Sequence, residues 1–175
     1  LGPAGTFTEA ALQKIATPSD QLIAYANVTA ALDAVRNGEC QKALVPIENS
    51  VEGVVARTLD ELAIGDPLVI IAETTLPVSF SLMSLDKTDP KEIKSIATHP
   101  HAESQCRSFI AKNYPNAQVI ESSSTAAAAK GLSKGDYDAA IAGSNAAKNY
   151  GLKVIAENIG DNTGAITRFV LVEKP

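Results

Sequence analysis

Val28-Thr29-Ala30-Ala31, which opens a helix-like stretch leading into the apolar run Lys42-Ala43-Leu44-Val45, comes back roughly 97 positions later. The returning stretch is Ser124-Thr125-Ala126-Ala127 followed by Ala139-Ala140-Ile141-Ala142, and the same shift lays Leu1-Gly2-Pro3 over Thr98-His99-Pro100. In each half a strand ends, a Pro opens a helix, and a second strand leads through a Thr-Ala-Ala helix to a third. Duplication of this kind predicts an α/β chain of two similar lobes with a cleft between them.

Working outward, short aliphatic runs alternate with longer helical stretches, the pattern of an α/β fold with substantially parallel sheets. Strands are expected at Gln21 to Tyr25, Lys42 to Pro46, Leu68 to Leu76, Val78 to Met83, Ser95 to Thr98, Gln118 to Glu121, Ala139 to Ala142, Lys153 to Glu157 and Thr167 to Val172. Helices are expected at Thr8 to Ile15, Thr29 to Asn37, Val54 to Ala63, His101 to Asn113, Ser124 to Ser133 and Asn145 to Tyr150, with Gly38 and Gly135 where helix C-caps belong. The polar, Pro-bearing stretch from Leu85 to Pro90 breaks the pattern. It divides residues 1–84, joined by 164–175, from a second lobe at 91–158. The last strand is left over once the second lobe is complete, so it is expected to cross back to the first and bring Thr167 to the hinge face of the cleft.

Composition narrows the function. A chain of 175 residues that is 45% apolar and 20% charged can bury one substantial core or two small ones. Its net charge of −5 and pI near 5.0, without clustered Lys or Arg, argue against nucleic acid or an anionic membrane as partner. No run of about 18 apolar residues is present. Cys40 and Cys106 lack metal or CxxC spacing and read as buried free thiols. These features point to a cytoplasmic enzyme acting on a small molecule. Leu1-Gly2-Pro3 has no Met and reads like the end of a strand whose beginning has been removed.

Ligands of α/β sheets bind at the carboxyl ends of strands, beside helix N-termini, and this selects the candidate residues. Gly2-Pro3-Ala4-Gly5-Thr6-Phe7-Thr8-Glu9 opens the first helix with glycines and hydroxyls, so that free N–H groups and Thr6 could hold a carboxylate, or could form a capped turn. Glu48, Asn49 and Ser50 leave a strand end together; Ser50 or Asn49 would equally serve as a helix cap. Glu48 is a candidate acid, because carboxyl groups shielded from water can keep a proton. His99 follows a strand and is poised for the cleft, with a capping or core role equally open, whereas for His101 a capping or core role is the simpler reading; two histidines without a third ligand do not make a metal site. Ser122-Ser123-Ser124-Thr125 supplies more hydroxyls than a cap needs. In Thr167-Arg168-Phe169, strand alternation sends Thr167 and Phe169 to one face and Arg168 to the other. Arg168 is either a surface arginine or a bidentate carboxylate clamp. No nucleophile triad, Walker loop or zinc spacing is present, so the chemistry is expected to need no cofactor.

Taken in order, GPAGTFTEAA, VPIENSVEG, THPHAESQC, SSTAAAAK and TRFVLVEK resemble the prephenate dehydratase family over essentially the whole chain. The resemblance implies a two-lobed fold like that of type II periplasmic binding proteins. It also implies conversion of prephenate to phenylpyruvate, water and carbon dioxide in phenylalanine biosynthesis. The family's key threonine falls on Thr167, and its substrate positions fall on Thr6, Glu48, Asn49, Ser50, His99, Thr125, Arg168 and Phe169. Two departures stand out: Ala165 where the family usually has Asn, and His101 where it usually has Gln. A homodimer or higher homo-oligomer is implied as well. Family members usually carry a C-terminal regulatory ACT domain that binds phenylalanine, so a chain stopping at Pro175 is expected to escape feedback inhibition. Arogenate dehydratase and a non-catalytic two-lobed binding protein remain the rival readings.

Overall fold

A computed structural model describes Gly2 and residues 4–175; the parts expected of Leu1 and Pro3 lie outside the described residues. The strands are Lys42–Asn49 (β1), Gly53–Val54 (β2), Val69–Pro77 (β3), Ser81–Ser84 (β4), Ser95–Thr98 (β5), Gln118–Glu121 (β6), Ala139–Ala142 (β7), Lys153–Ala156 (β8) and Ile166–Glu173 (β9). The helices are Phe7–Ile15 (α1), Val28–Arg36 (α2), Ala56–Ile64 (α3), Pro100–Gln105 (α4), Arg107–Asn113 (α5), Thr125–Lys134 (α6) and Ser144–Tyr150 (α7).

The chain folds as two compact α/β units. Unit 1 takes Gly2, Phe7–Val78 and Ala165–Pro175, and unit 2 takes Ala4–Thr6 and Ser79–Gly164. The division thus comes earlier than the stretch from Leu85 to Pro90. The run expected as one strand from Val78 to Met83 is split, because the Val78 N–H donates to the Ala165 carbonyl in unit 1 (2.7 Å) while β4 pairs with β7 and β8 in unit 2.

Unit 1 has the sheet order β2-β1-β9-β3, with every neighbouring pair antiparallel. The expectation of substantially parallel sheets fails here because β9 lies between β1 and β3 and runs against both. The amphipathic helix α2 buries Leu32 and Val35 with Val45, Val170 and Val172 on one face of the sheet. The other face gathers Ala11 of α1 with Leu44, Leu76 and Phe169. The strand expected from Gln21 to Tyr25 is not formed; of its backbone, Tyr25 carbonyl accepts from Gly2 N–H (2.6 Å), and Leu22 and Ile23 stay exposed. An aliphatic run becomes a strand only where a neighbouring strand offers it a ladder.

One irregularity interrupts β1. Pro46 pairs with Phe169 and Glu48 with Arg168, leaving Ile47 as the extra residue of a β-bulge. Proline cannot donate to a ladder, so the interruption falls where pairing is already weakest. Two groups from the start of α3 take up the carbonyls: Thr58 Oγ1 donates to Pro46 O (2.6 Å) and Val55 N–H to Ile47 O (2.9 Å).

Unit 2 has the order β6-β5-β7-β4-β8, with β5, β6 and β7 mutually parallel and β4 antiparallel to β7 and β8. Its core is built of small residues: Ala97, Ala128, Ala129, Ala140 and Ala142 pack with Met83 and Leu132, which lets α6 lie close on the sheet. Asp138 joins the starts of two segments by accepting from Lys94 N–H, Ser95 N–H and Ser95 Oγ, each at 2.9 Å. The helix expected from His101 to Asn113 is interrupted at Cys106, whose φ of −118° and ψ of 14° leave the helical region.

The repeated sequence appears as the helix–strand pairs α2–β1 and α6–β7. Asn27 caps α2 by accepting from Ala30 N–H, and Ser124 caps α6 by accepting from Ala127 N–H, both at 2.9 Å. Gly38 and Gly135 follow the helices in left-handed conformations (φ 76° and 84°). Among the described residues, no helix is long and apolar enough to cross a membrane.

Candidate functional site

In unit 1 the register of β1 on β9 interlocks two runs of candidate residues. Asn49 lies opposite Thr167 and Glu48 opposite Arg168. Beyond the ladder, Ser50 N–H donates to Ile166 O and Ile166 N–H to Ser50 Oγ, both at 2.9 Å.

The direction of the bond between Asn49 and Thr167 is fixed by its surroundings. Asn49 Oδ1 accepts from Val51 N–H (2.9 Å) and Glu52 N–H (3.2 Å), a role only the oxygen can fill, so the amide is oriented without ambiguity. Nδ2 must then donate to Thr167 Oγ1, at 2.8 Å. Thr167 is therefore the acceptor, and its own proton points elsewhere; among the described residues no acceptor for it is recorded. An N–H bonded to a hydroxyl oxygen also stabilises charge developing on that oxygen. Thr167 is only 9% exposed.

Alternation places the neighbours as the sequence required. Phe169 shares the Thr167 face and is 1% exposed in the core beneath it. Arg168 turns to the opposite face, where it reaches Glu48 (3.7 Å) and Glu73 (4.0 Å). These three half-exposed charges form a row across β1, β9 and β3, so Arg168 already has two carboxylate neighbours.

In unit 2 the candidates gather at the carboxyl edge of the parallel strands. His99 follows β5 and caps α4, its Nδ1 accepting from His101 N–H at 3.3 Å. Thr125 opens α6 just after β6, behind the Ser124 cap. Thr6 comes to the same edge through α7, since its carbonyl accepts from Asn145 Nδ2 (3.3 Å). Gly5 makes that seat possible: its φ is 91°, and a Cβ there would lie 3.2 Å from Ala146. A pocket of about 420 Å³ lined by Lys91, Lys94, Asn113 and Tyr114 lies at the opposite edge, ahead of β5 and β6, away from these residues.

The thiols stand apart from both clusters. Burial, reinforced by the nearby Asp161 charge, pushes the Cys106 thiol up to about 12, which keeps it neutral. Cys40 is half-buried against the Tyr25 hydroxyl at 3.2 Å. Among the described residues no three His, Cys, Asp or Glu side chains gather as a metal-ligand set.

Sequence reasoning missed Thr58 and Glu73. Thr58 is 0% exposed and supports the bulge from within α3. The signal that could have found it is Pro46, since a proline inside a strand marks an edge or a bulge.

Each unit thus carries its own cluster of polar strand-end and helix-start groups on an α/β fold. The family model described as prephenate dehydratase matches residues 1–175. The prephenate dehydratase of Amycolatopsis methanolica is 47% identical over 175 residues, covering all of this chain and 57% of that protein. A prephenate dehydratase structure from Arthrobacter aurescens, in complex with L-Phe, has a TM-score of 0.90 at 48% identity, covering 100% of this chain and 58% of that one. GqqA, described as a novel type of quorum quenching acylase, has a TM-score of 0.82 at 25% identity, covering 99% of this chain and 62% of that one. The chain belongs to the prephenate dehydratase family. It spans somewhat more than half the length of the curated relatives it matches.

Proposed function

We propose that the chain catalyses the decarboxylating dehydration of prephenate to phenylpyruvate, with Thr167 as the donor to the departing ring hydroxyl. Membership of the family supports the reaction, and the Asn49–Thr167 bond carries the assignment of the donor. Loss of the hydroxyl and of carbon dioxide from one non-aromatic ring yields a benzene ring, so aromatisation supplies the driving force. The protein has only to help hydroxide leave. A threonine hydroxyl is a weak acid, and it helps where charge develops in a dry, preorganised site. Asn49 strengthens it by leaving its proton free and stabilising the oxygen from behind.

In this reading Thr6, Ser50, His99 and Thr125 hold the substrate's polar groups, and Phe169 packs beneath Thr167. Arg168 contributes positive charge shared with Glu48 and Glu73. Glu48 and His99 are the alternative acids. An acylase reading, prompted by GqqA, would require an activated nucleophile with a base accepting its proton. Thr167 instead has a donor on its oxygen, which favours an acid role. The reading extends to a homo-oligomer, a proposal supported by exposed Val69, Ile70 and Ile71 on the outer strand β3 and tested by sedimentation.

The test is to incubate the chain with prephenate and with arogenate, follow the products, and compare kcat/KM for the two. Thr167→Ala is expected to lose about 10²- to 10⁴-fold in kcat while Thr167→Ser retains most of it. Equal losses in the two variants would show that the hydroxyl is not the donor. A limb in the kcat–pH profile that vanishes on Glu48→Gln or His99→Ala would transfer the role to that residue.

A further inference from the structure

We propose that Thr58 is a positioning residue for the reaction: its buried hydroxyl holds the β1 bulge that decides whether Asn49 or Glu48 faces Thr167. The inference rests on the reading of Thr167 as the donor.

The register makes the choice explicit. Pro46 pairs with Phe169, and an unbroken ladder would next set Ile47 opposite Arg168 and Glu48 opposite Thr167. The extra residue shifts the strand by one, so that Glu48 meets Arg168 and Asn49 meets Thr167. Ile47 and Glu48 then leave on the side of α2 and α3, where Ile47 packs against the cluster of Leu32, Val35 and Val45. A one-residue slip in a strand exchanges its faces, and here the exchange changes the chemistry. A carboxylate opposite Thr167 would accept the hydroxyl proton and draw it inward. The Asn49 amide donates instead and leaves that proton available.

A bulge takes carbonyls out of the ladder, and a buried carbonyl without a partner is strongly disfavoured. Both carbonyls at this bulge are satisfied from one short segment. Thr58 Oγ1 donates to Pro46 O at 2.6 Å, and Val55 N–H donates to Ile47 O at 2.9 Å. Thr58 is fully buried, and Pro46 O is the only partner recorded for its hydroxyl among the described residues. Valine would fill the same volume and lose the bond; serine would keep it.

The decisive experiment follows the Asn49 side-chain amide by ¹⁵N–¹H correlation, assigned by its disappearance in Asn49→Asp, alongside steady-state kinetics on prephenate. Thr58→Val is expected to move the Asn49 amide resonances and to lower kcat about 10- to 100-fold with KM little changed, as misplacement of a reacting group does. Thr58→Ser is expected to restore both. Should Thr58→Val not fold, Val55→Pro removes the second donor from a half-buried position whose φ of −84° suits proline, and it must move the same resonances. Unmoved Asn49 resonances and an unchanged kcat in a folded variant with lowered Tm would overturn the proposal and leave Thr58 a merely structural residue. If the unaltered chain does not turn over prephenate, the reaction assignment fails, while the resonance shifts still decide whether Thr58 positions Asn49.

Discussion

The two units present their candidate residues in different ways. In unit 1, side-chain bonds cross between antiparallel strands, from Asn49 to Thr167 and from Ile166 N–H to the Ser50 hydroxyl. In unit 2, Thr6, His99 and Thr125 sit where backbone enters or meets a helix at the carboxyl edge of parallel strands. Cross-strand locking sets the direction of a proton, whereas helix entrances offer N–H groups and hydroxyls to whatever anion arrives. The difference is one of local chemistry: a hydroxyl with a fixed donor on its oxygen in unit 1, and helix entrances in unit 2.

The strongest way to break this contrast is a matched pair of variants. Asn49→Asp replaces the amide donor with an acceptor and forces Thr167 to donate inward; a loss of about 10²-fold in kcat is expected. His99→Ala is expected to raise KM far more than it lowers kcat. Steady-state kinetics reading the same kcat loss in both variants would erase the distinction.

A second, smaller effect tests what holds unit 2 together. The Lys94 N–H, followed by the Ser95 hydroxyl and N–H, holds the Asp138 carboxyl below its ordinary value despite partial burial. Its folded-state value lies below its unfolded one, so its contribution is present above the unfolded value of 3.8 and fades as pH falls through the folded one. Asp138→Ala is expected to remove about 1–3 kcal/mol near neutral pH. It should also flatten the decline of Tm between about pH 5 and 3, read by thermal melts across that range. An unaltered decline would mean that other carboxylates govern acid sensitivity.

The smallest effect sharpens the likeness beneath the contrast. Asn27 and Ser124 occupy equivalent places in the repeated helix–strand pairs and make equivalent bonds. Asn27→Ala and Ser124→Ala are each expected to lower stability by about 1 kcal/mol, measured by denaturant titration. A large disparity would show that the two helix starts no longer do the same job.

The same contrast explains how much could be read from the sequence. Caps, alternation and Gly-bounded helices depend on neighbours a few residues away, so α2, α6, β5 and β7 and the polar edge of unit 2 were legible. The repeat was legible too, because each half carries its own copy of the pattern. The antiparallel character of unit 1 was not, since it follows from β9 lying between β1 and β3. Nor was the partner of Thr167. Plain alternation from Pro46 sets Glu48 on the Thr167 face, and only the bulge, supported by Thr58 from a different element, replaces it with Asn49. The expected strand from Gln21 to Tyr25 failed for the same kind of reason: its aliphatic pattern is local, but a strand needs an edge to join.

The Asn49–Thr167 bond joins positions 118 apart in the chain. Closing so large a loop is entropically costly and slow compared with forming a local turn, and most of the chain between the two residues, Ser79–Gly164, belongs to unit 2. Formation of the Asn49–Thr167 bond is therefore expected late in folding. On the proposed role of Thr167, turnover of prephenate would also report that β9 has joined β1 and that the fold of unit 1 is complete.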